Sequence, residues 1–257
     1  MVLAIDIGNS NVVVALHDGN SWSQVWRIPT ITEADAALFY EKRLADLLME
    51  AGLLLGPRPR VVVSSVVPQL TQSFLHIAEH LFGQPALKVA PPIYPKLKLQ
   101  IDRPNEIGTD LLANAVAAHH LYQQDCIVVD FGTALTFTTV TGEGHILGVA
   151  IAPGLKTAIA SLFQKTAQLP EVPLTLPQTP IGKNTEHAIQ SGILIGYVGL
   201  VRHMLAEIRR EVGEQYIAVA TGGLSSILTP LQADFQHIDP MLTLEGLRII
   251  AETQRSE

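Results

Sequence analysis

Ile127-Val-Val-Asp130-Phe-Gly132-Thr-Ala-Leu-Thr136-Phe-Thr-Thr-Val140 reads as a strand, an Asp-x-Gly turn and a returning strand. β-branched and aromatic residues favour extended backbone on either side, and Gly132 frees the turn. The same design opens the chain, as Val2-Leu-Ala-Ile5, then Asp6-Ile-Gly8-Asn-Ser10, then Val12-Val-Val-Ala15. Asp6 and Asp130 stand 124 positions apart in 257 residues, close to half the length. The elements after each hairpin also match. A helix from about Thr32, with Ala36, Ala37, Tyr40 and Leu44 in a 3.6 period, leads to the apolar strand Val61 to Val67. A long helix from about Asn184 to Glu211 leads to Tyr216-Ile-Ala-Val-Ala220. This order predicts an α/β protein with an internal duplication of pattern. The halves are 1–117 and 118–257, and the boundary falls in or just after a helix that starts near Gly108. Between them, Pro91 to Pro104 carries four prolines and reads as loop or edge strand.

Bulk properties narrow the function classes. The chain is 47% apolar, enough for one large core or two smaller ones. Its formal net charge is −7 and no dense Lys/Arg block occurs, which argues against nucleic acid or an anionic membrane as partner. A small anionic ligand stays open, because backbone amides and a metal can bind phosphate on an acidic protein. No unbroken apolar run reaches the roughly 18 residues that a bilayer span needs. The start, Met1-Val-Leu-Ala-Ile-Asp6, lacks a basic leader pattern. Cys126 is the single cysteine and reads as a small buried residue, so the expected location is the cytoplasm.

The hairpins carry the chemistry. A glycine turn lets backbone N–H groups approach phosphate oxygens, and Asn9, Ser10 or Thr133 can add donors. An adjacent carboxylate can hold Mg²⁺ or its waters. One Asp-x-Gly hairpin is usually only a turn, but two at matching places suggest a clamp on nucleotide phosphates. Ala220-Thr-Gly-Gly223 follows a strand and is expected to lead into a helix at Ser225. It reads either as a plain turn or, through Gly222 and Gly223, as a flat backbone surface for an adenine ring. Asp110 reads equally as a first-turn helix charge or as a catalytic carboxylate.

Taken together these motifs resemble the acetate and sugar kinase, Hsp70 and actin superfamily, and more narrowly the type III pantothenate kinases. The resemblance runs through Asp6-Ile-Gly-Asn-Ser-Asn11, Val63-Ser-Ser-Val-Val-Pro68, Pro104-Asn-Glu-Ile-Gly108-Thr-Asp110 and Asp130-Phe-Gly-Thr-Ala134. It continues through Ala152-Pro-Gly-Leu155, Ile181-Gly-Lys-Asn-Thr185, Gln190-Ser-Gly192, Ala220-Thr-Gly-Gly-Leu224 and Leu242-Thr-Leu-Glu-Gly-Leu247. It implies two ribonuclease H-like domains, a duplicated actin-like ATPase fold, with a nucleotide cleft between them in a homodimer. The implied activity is ATP-dependent phosphorylation of pantothenate, the first step toward coenzyme A. The alternatives are a kinase of another small hydroxy compound and a nucleotide-binding regulatory protein without turnover.

The resemblance also implies residue roles. Asp6, Ile7, Gly8, Asn9, Ser10, Asn11, Val12 and Val13 would wrap the ATP phosphates, with Asp6 organising Mg²⁺ indirectly. Asp110 would be the base, and Gly108 and Thr109 would join it at the acceptor. Asp130 would bind a monovalent cation, K⁺ or NH₄⁺, while Thr133 contacts ATP and Thr185 reaches the acceptor across the dimer interface. The acceptor half departs from the family pattern. Leu111 replaces an arginine, Ile101 a tyrosine and Arg103 an asparagine, while Thr138 stands where the second hairpin often carries an aspartate. Arg103 is the candidate to replace the missing arginine. Two further patterns carry less. His76-Ile-Ala-Glu79-His80 fits a zinc-peptidase helix but lacks a third ligand motif, and Gly192, Gly196 and Gly199 read as a close helix contact.

Overall fold

The computed structural model describes residues 1–53, 58–91, 96–165, 169–223, 225 and 227–254. The chain forms two compact units. The first contains Met1–Leu97, Asp102–Ala117 and Thr243–Glu257; the second contains Lys98–Ile101 and Ala118–Leu242.

In the first unit, β1 (Val2–Ile7), β2 (Asn11–His17) and β3 (Trp22–Pro29) form an antiparallel meander. Helix α1 (Ala36–Glu50) crosses to β4 (Arg60–Ser65), which pairs parallel with β1. Helix α2 (Pro68–Phe82) crosses to β5 (Leu87–Lys88), giving the order β3-β2-β1-β4-β5. Pro68 sits at the start of α2, where its missing N–H costs nothing. Leu3, Ile5, Val12, Val14, Val61 and Val63 pack under Tyr40 and Leu44 of α1 and Phe74 of α2.

The edge strand β6 (Lys98–Leu99) belongs to the second unit, which agrees with the proline-rich reading; residues 92–95 lie outside the described set. Helix α3 (Thr109–Tyr122) starts beside Gly108 as expected, and the division between units falls within it. Then β7 (Cys126–Phe131), β8 (Ala134–Val140) and β9 (His145–Pro153) repeat the meander. After α4 (Leu155–Lys165), α5 (Thr185–Gln190) and α6 (Gly196–Val212), strand β10 (Ile217–Thr221) pairs parallel with β7. With β11 (His237–Ile238) the order is β11-β10-β7-β8-β9-β6, so five strands repeat the first sheet's order.

A π-turn, Ser191–Ile195, joins α5 to α6, making a 28-residue helical run. Its mean hydropathy of 1.2 over 18 residues makes it long and apolar enough to cross a membrane, although polar residues interrupt it throughout. Its sidedness is that of a packed helix. Leu194, Tyr197, Val201 and Leu205 pack on Ile127, Val129 and Phe137, whereas Arg202, His203 and Arg210 are exposed.

Two expectations change. Ser225 lies in a turn and donates to the Gly222 carbonyl, and a short 3₁₀ turn, Thr229–Asp234, comes next in place of a helix. Helix α7 (Leu242–Thr253) was expected with the second half, yet Thr243 onward groups with the first unit. There the Thr243 hydroxyl donates to Asn114 Oδ1 at 2.8 Å. Asn114 is 1% exposed, so this bond gives its buried amide oxygen a donor.

Candidate active site

Strand register builds the first half of the site. Asp6 is the penultimate residue of β1, opposite Ser64 of β4. Directly paired residues share a face of the sheet, so Ser64 reaches Asp6, and its hydroxyl donates to Asp6 Oδ1 at 2.9 Å. Ser64 has one proton to give, so the 2.9 Å contact with Thr109 Oγ1 is a donation from Thr109. Thr109 in turn accepts the Ser65 N–H at 2.9 Å. A hydroxyl relay therefore ties the start of α3 to the carboxylate of the first hairpin.

Asp110 follows Thr109 in the first turn of α3, and its Oδ1 accepts the Leu111 N–H at 2.8 Å. Withdrawal from water pushes its carboxyl above the usual range, and the backbone N–H groups of Leu111 and of Asp110 itself only partly offset this. Gly108 leaves the room that this carboxylate occupies, since a Cβ there would overlap Asp110 Oδ1. Leu111 is buried at the root of the helix, which explains why an apolar residue suits that position.

A cleft of about 430 Å³ opens in this unit past the carboxyl ends of β4 and β5, where ligands of parallel sheets commonly bind. Ser65, Thr71, Lys88, Asn105 and Thr109 line it. Arg103 lies nearby in the chain but is exposed, with its guanidinium 3.1 Å from Glu106. Ile101 is half-buried and belongs to the second unit.

The first hairpin turn is held by Gly8 N–H donating to Asn11 O and by Thr30 donating to Gly8 O and Ser10 O. Asn9, Ser10 and Asn11 are exposed, whereas Ile7 and Val12 are fully buried and offer only backbone to a ligand. Val13 is half-buried.

In the second unit Asp130 occupies the position in β7 that Asp6 occupies in β1, with Thr136 and Thr221 as its register partners. The turn is closed by Gly132 N–H to Ala134 O, and the exposed Thr133 accepts Gly154 N–H and the Thr157 hydroxyl on its carbonyl. Gly222 takes φ +90°, and a Cβ there would overlap Asp130 Oδ1 and lie 2.7 Å from Phe131 N. Gly223 beside it is exposed. Thr185 begins α5 on the surface, after Asn184, whose Oδ1 caps the helix by accepting His187 N–H. Thr138 is buried within β8.

No group of three or more His, Cys, Asp or Glu side chains forms a metal cluster among the described residues, His76, Glu79 and His80 included. Mg²⁺ bound mostly by nucleotide phosphates and water asks the protein for only one or two carboxylates. Asp6 can supply one. Ser64, Thr136 and Thr221 lie within the stretches that carry the motifs, yet the sequence reading assigns them no site role, because only strand register brings them beside the two aspartates.

The model of the type III pantothenate kinases matches residues 2–207. The chain belongs to that family. It is 39% identical over 255 residues to the type III pantothenate kinase of Geobacter sulfurreducens, covering 99% of this chain and 100% of the relative. The corresponding enzyme of Moorella thermoacetica is 40% identical over 252 residues, with 98% and 99% covered. Among solved structures, a protein described as a Baf family transcriptional activator from Campylobacter jejuni superposes with a TM-score of 0.62 at 16% identity, over 99% of this chain and 100% of its own. MreB 5 of Spiroplasma citri, bound to AMPPNP, gives 0.57 at 8% identity over 99% and 97%. These last two establish the fold, that of the actin-like ATPases and sugar kinases with duplicated ribonuclease H-like halves.

Proposed function

We propose that this type III pantothenate kinase family member transfers the γ-phosphoryl group of ATP to the hydroxyl of pantothenate, yielding 4'-phosphopantothenate. The observation that carries this reading is the relay Thr109–Ser64–Asp6, which joins the acceptor loop to the phosphate hairpin. The acceptor hydroxyl oxygen forms a bond to the γ-phosphorus, the bond to the bridging oxygen of ADP breaks, and the hydroxyl proton passes to Asp110. A carboxylate with a raised pKa is a stronger base than an ordinary aspartate, and phosphoryl transfer asks mainly for positioning and charge stabilisation. When bound, Mg²⁺ would neutralise charge on the phosphates; Asp6 would hold it or its waters, while residues Asp6 to Val13, Thr133, Gly222 and Gly223 would hold the nucleotide.

Pantothenate carries a carboxylate, and Leu111 cannot bind it. The acceptor cleft instead offers Lys88, and Arg103 stands close in sequence. The Arg103–Glu106 pair is exposed, and such pairs are worth only ~0.2–1 kcal/mol, so Arg103 is readily released to a substrate. Thr185 from a second copy completes the acceptor site, and Asp130 binds K⁺ or NH₄⁺. The enzyme works in the cytoplasm as a homodimer.

The test is ADP release, with mass identification of the product, for pantothenate beside a panel of hydroxy acids and polyols. Pantothenate should turn over, and Arg103→Ala should raise its KM about ten- to a hundredfold with the KM for ATP unchanged. An unchanged acceptor KM moves recognition to Lys88. Turnover of an uncharged polyol with none of pantothenate would overturn the acceptor assignment and leave the kinase class standing.

A further inference from the structure

We infer that Thr136 and Thr221 join Asp130 as oxygen donors to one monovalent cation seated in the second unit. The inference rests on the reading of Asp130 as the cation residue and adds the rest of the shell. Asp130 lies between the two threonines, paired with Thr136 on one side and with Thr221 on the other. All three side chains therefore leave the same face of the sheet. Thr136 is 8% exposed and Thr221 fully buried, yet neither hydroxyl has a hydrogen-bond partner. A buried hydroxyl without a partner is destabilising and uncommon, and the ordinary explanation is a water or ion between the groups.

Comparison of the two halves sharpens the point. At the equivalent position of the first unit, Ser64 uses its hydroxyl on Asp6 itself. In the second unit the corresponding Thr221 does not, although its strand holds the same register. The carboxylate instead lies against Gly222, where any side chain would displace it. The next residues inward on the same face are Val128 of β7, Val219 of β10 and the buried Thr138 of β8. One carboxylate with two neutral hydroxyls balances a single positive charge. Such an all-oxygen set suits a hard cation, with backbone carbonyls and water filling the remaining positions.

Melting in KCl, compared with choline chloride at equal ionic strength, reads occupancy without turnover, and the ²⁰⁵Tl resonance of added Tl⁺ reads binding directly. The wild-type melting temperature should rise saturably with K⁺. Thr136→Val and Thr221→Val should each weaken apparent K⁺ and Tl⁺ affinity about tenfold or more, and Asp130→Asn should abolish it. Thr136→Ser and Thr221→Ser keep the hydroxyl and should keep the affinity, which preserves the test if a valine variant folds poorly. A wild-type protein that melts identically in both salts and does not bind Tl⁺ removes the cation reading and this inference together. If wild type binds K⁺ and Asp130→Asn does not, wild-type affinity in either valine variant overturns the inference alone and leaves those hydroxyls to water.

Discussion

At the scale of single residues, Asp110 carries the sharpest consequence, because the proposed base role ties its desolvation to rate as well as to stability. Its folded-state pKa lies above the value of 3.8 for the free side chain, so over that window the folded protein holds a proton that the unfolded chain has lost. The associated stability is present below the window and lost as pH rises through the folded pKa. If Asp110 is the base proposed above, activity runs the other way, since only the ionised form accepts a proton. We expect Asp110→Asn to fold and bind ATP, to lose about 10²-fold or more in turnover, and to lack this component of the acid-range stability slope. Turnover near wild type would remove Asp110 from the mechanism. The acid limb of kcat should also fall above the ordinary carboxylate range in the wild type. Asp6, Asp110 and Asp130 were legible in the sequence as candidates because each sits in a short motif whose glycine or helix start marks it. Ser64, Thr136 and Thr221 were not, because nothing within a few residues of a buried hydroxyl tells which carboxylate it will face.

At the scale of elements, the two central hairpins could be read and their outer strands could not. β1 and β7 each open with four consecutive buried apolar residues before their aspartate, as strands covered on both faces do. The outer strand β3, Trp22-Ser-Gln-Val-Trp-Arg-Ile-Pro29, leaves most of its side chains in solvent and mixes polar with apolar residues, so its sequence resembles a loop. β9 carries Gly148 and reads as weakly. The opposite failure occurred at Ser225, where a glycine turn after a strand suggested a helix although only the 3₁₀ turn Thr229–Asp234 follows, with Pro230 in its first turn. The central strand also supplies a probe. Cys126 is fully buried at the start of β7, and burial pushes its thiol up to about 12. The thiolate is the reactive form, so a disulfide reagent at pH 8 should label it no faster than the second unit opens. Labelling at the rate of a free thiol in native buffer would show that the β7 end frays independently.

At the scale of the whole molecule, duplication was legible as two Asp-x-Gly hairpins 124 residues apart, and the five-strand order shared by both sheets confirms it. The path of the chain between units was not, because α7 has the composition of any amphipathic helix and nothing local to it tells that Gly246 will lie against Ala113 and Thr243 against Asn114. Assembly is tested by mixing subunits. If Thr185 completes a partner's acceptor site, inactive Asp110→Asn and inactive Thr185→Ala proteins should regain part of the activity when combined under conditions where subunits exchange. Proven exchange without recovery would place both residues in one subunit's site, or Thr185 outside it. The placement of α7 finally matters while the protein is being made. Domains tend to fold as they leave the ribosome, but the first unit lacks its last helix until α7 has been synthesised, and all of Ala118–Leu242 comes first. At roughly 5–20 residues per second that delay is on the order of ten seconds. For that time the nascent first unit exposes the face of α3 that α7 will cover, and it is then a natural client for a chaperone.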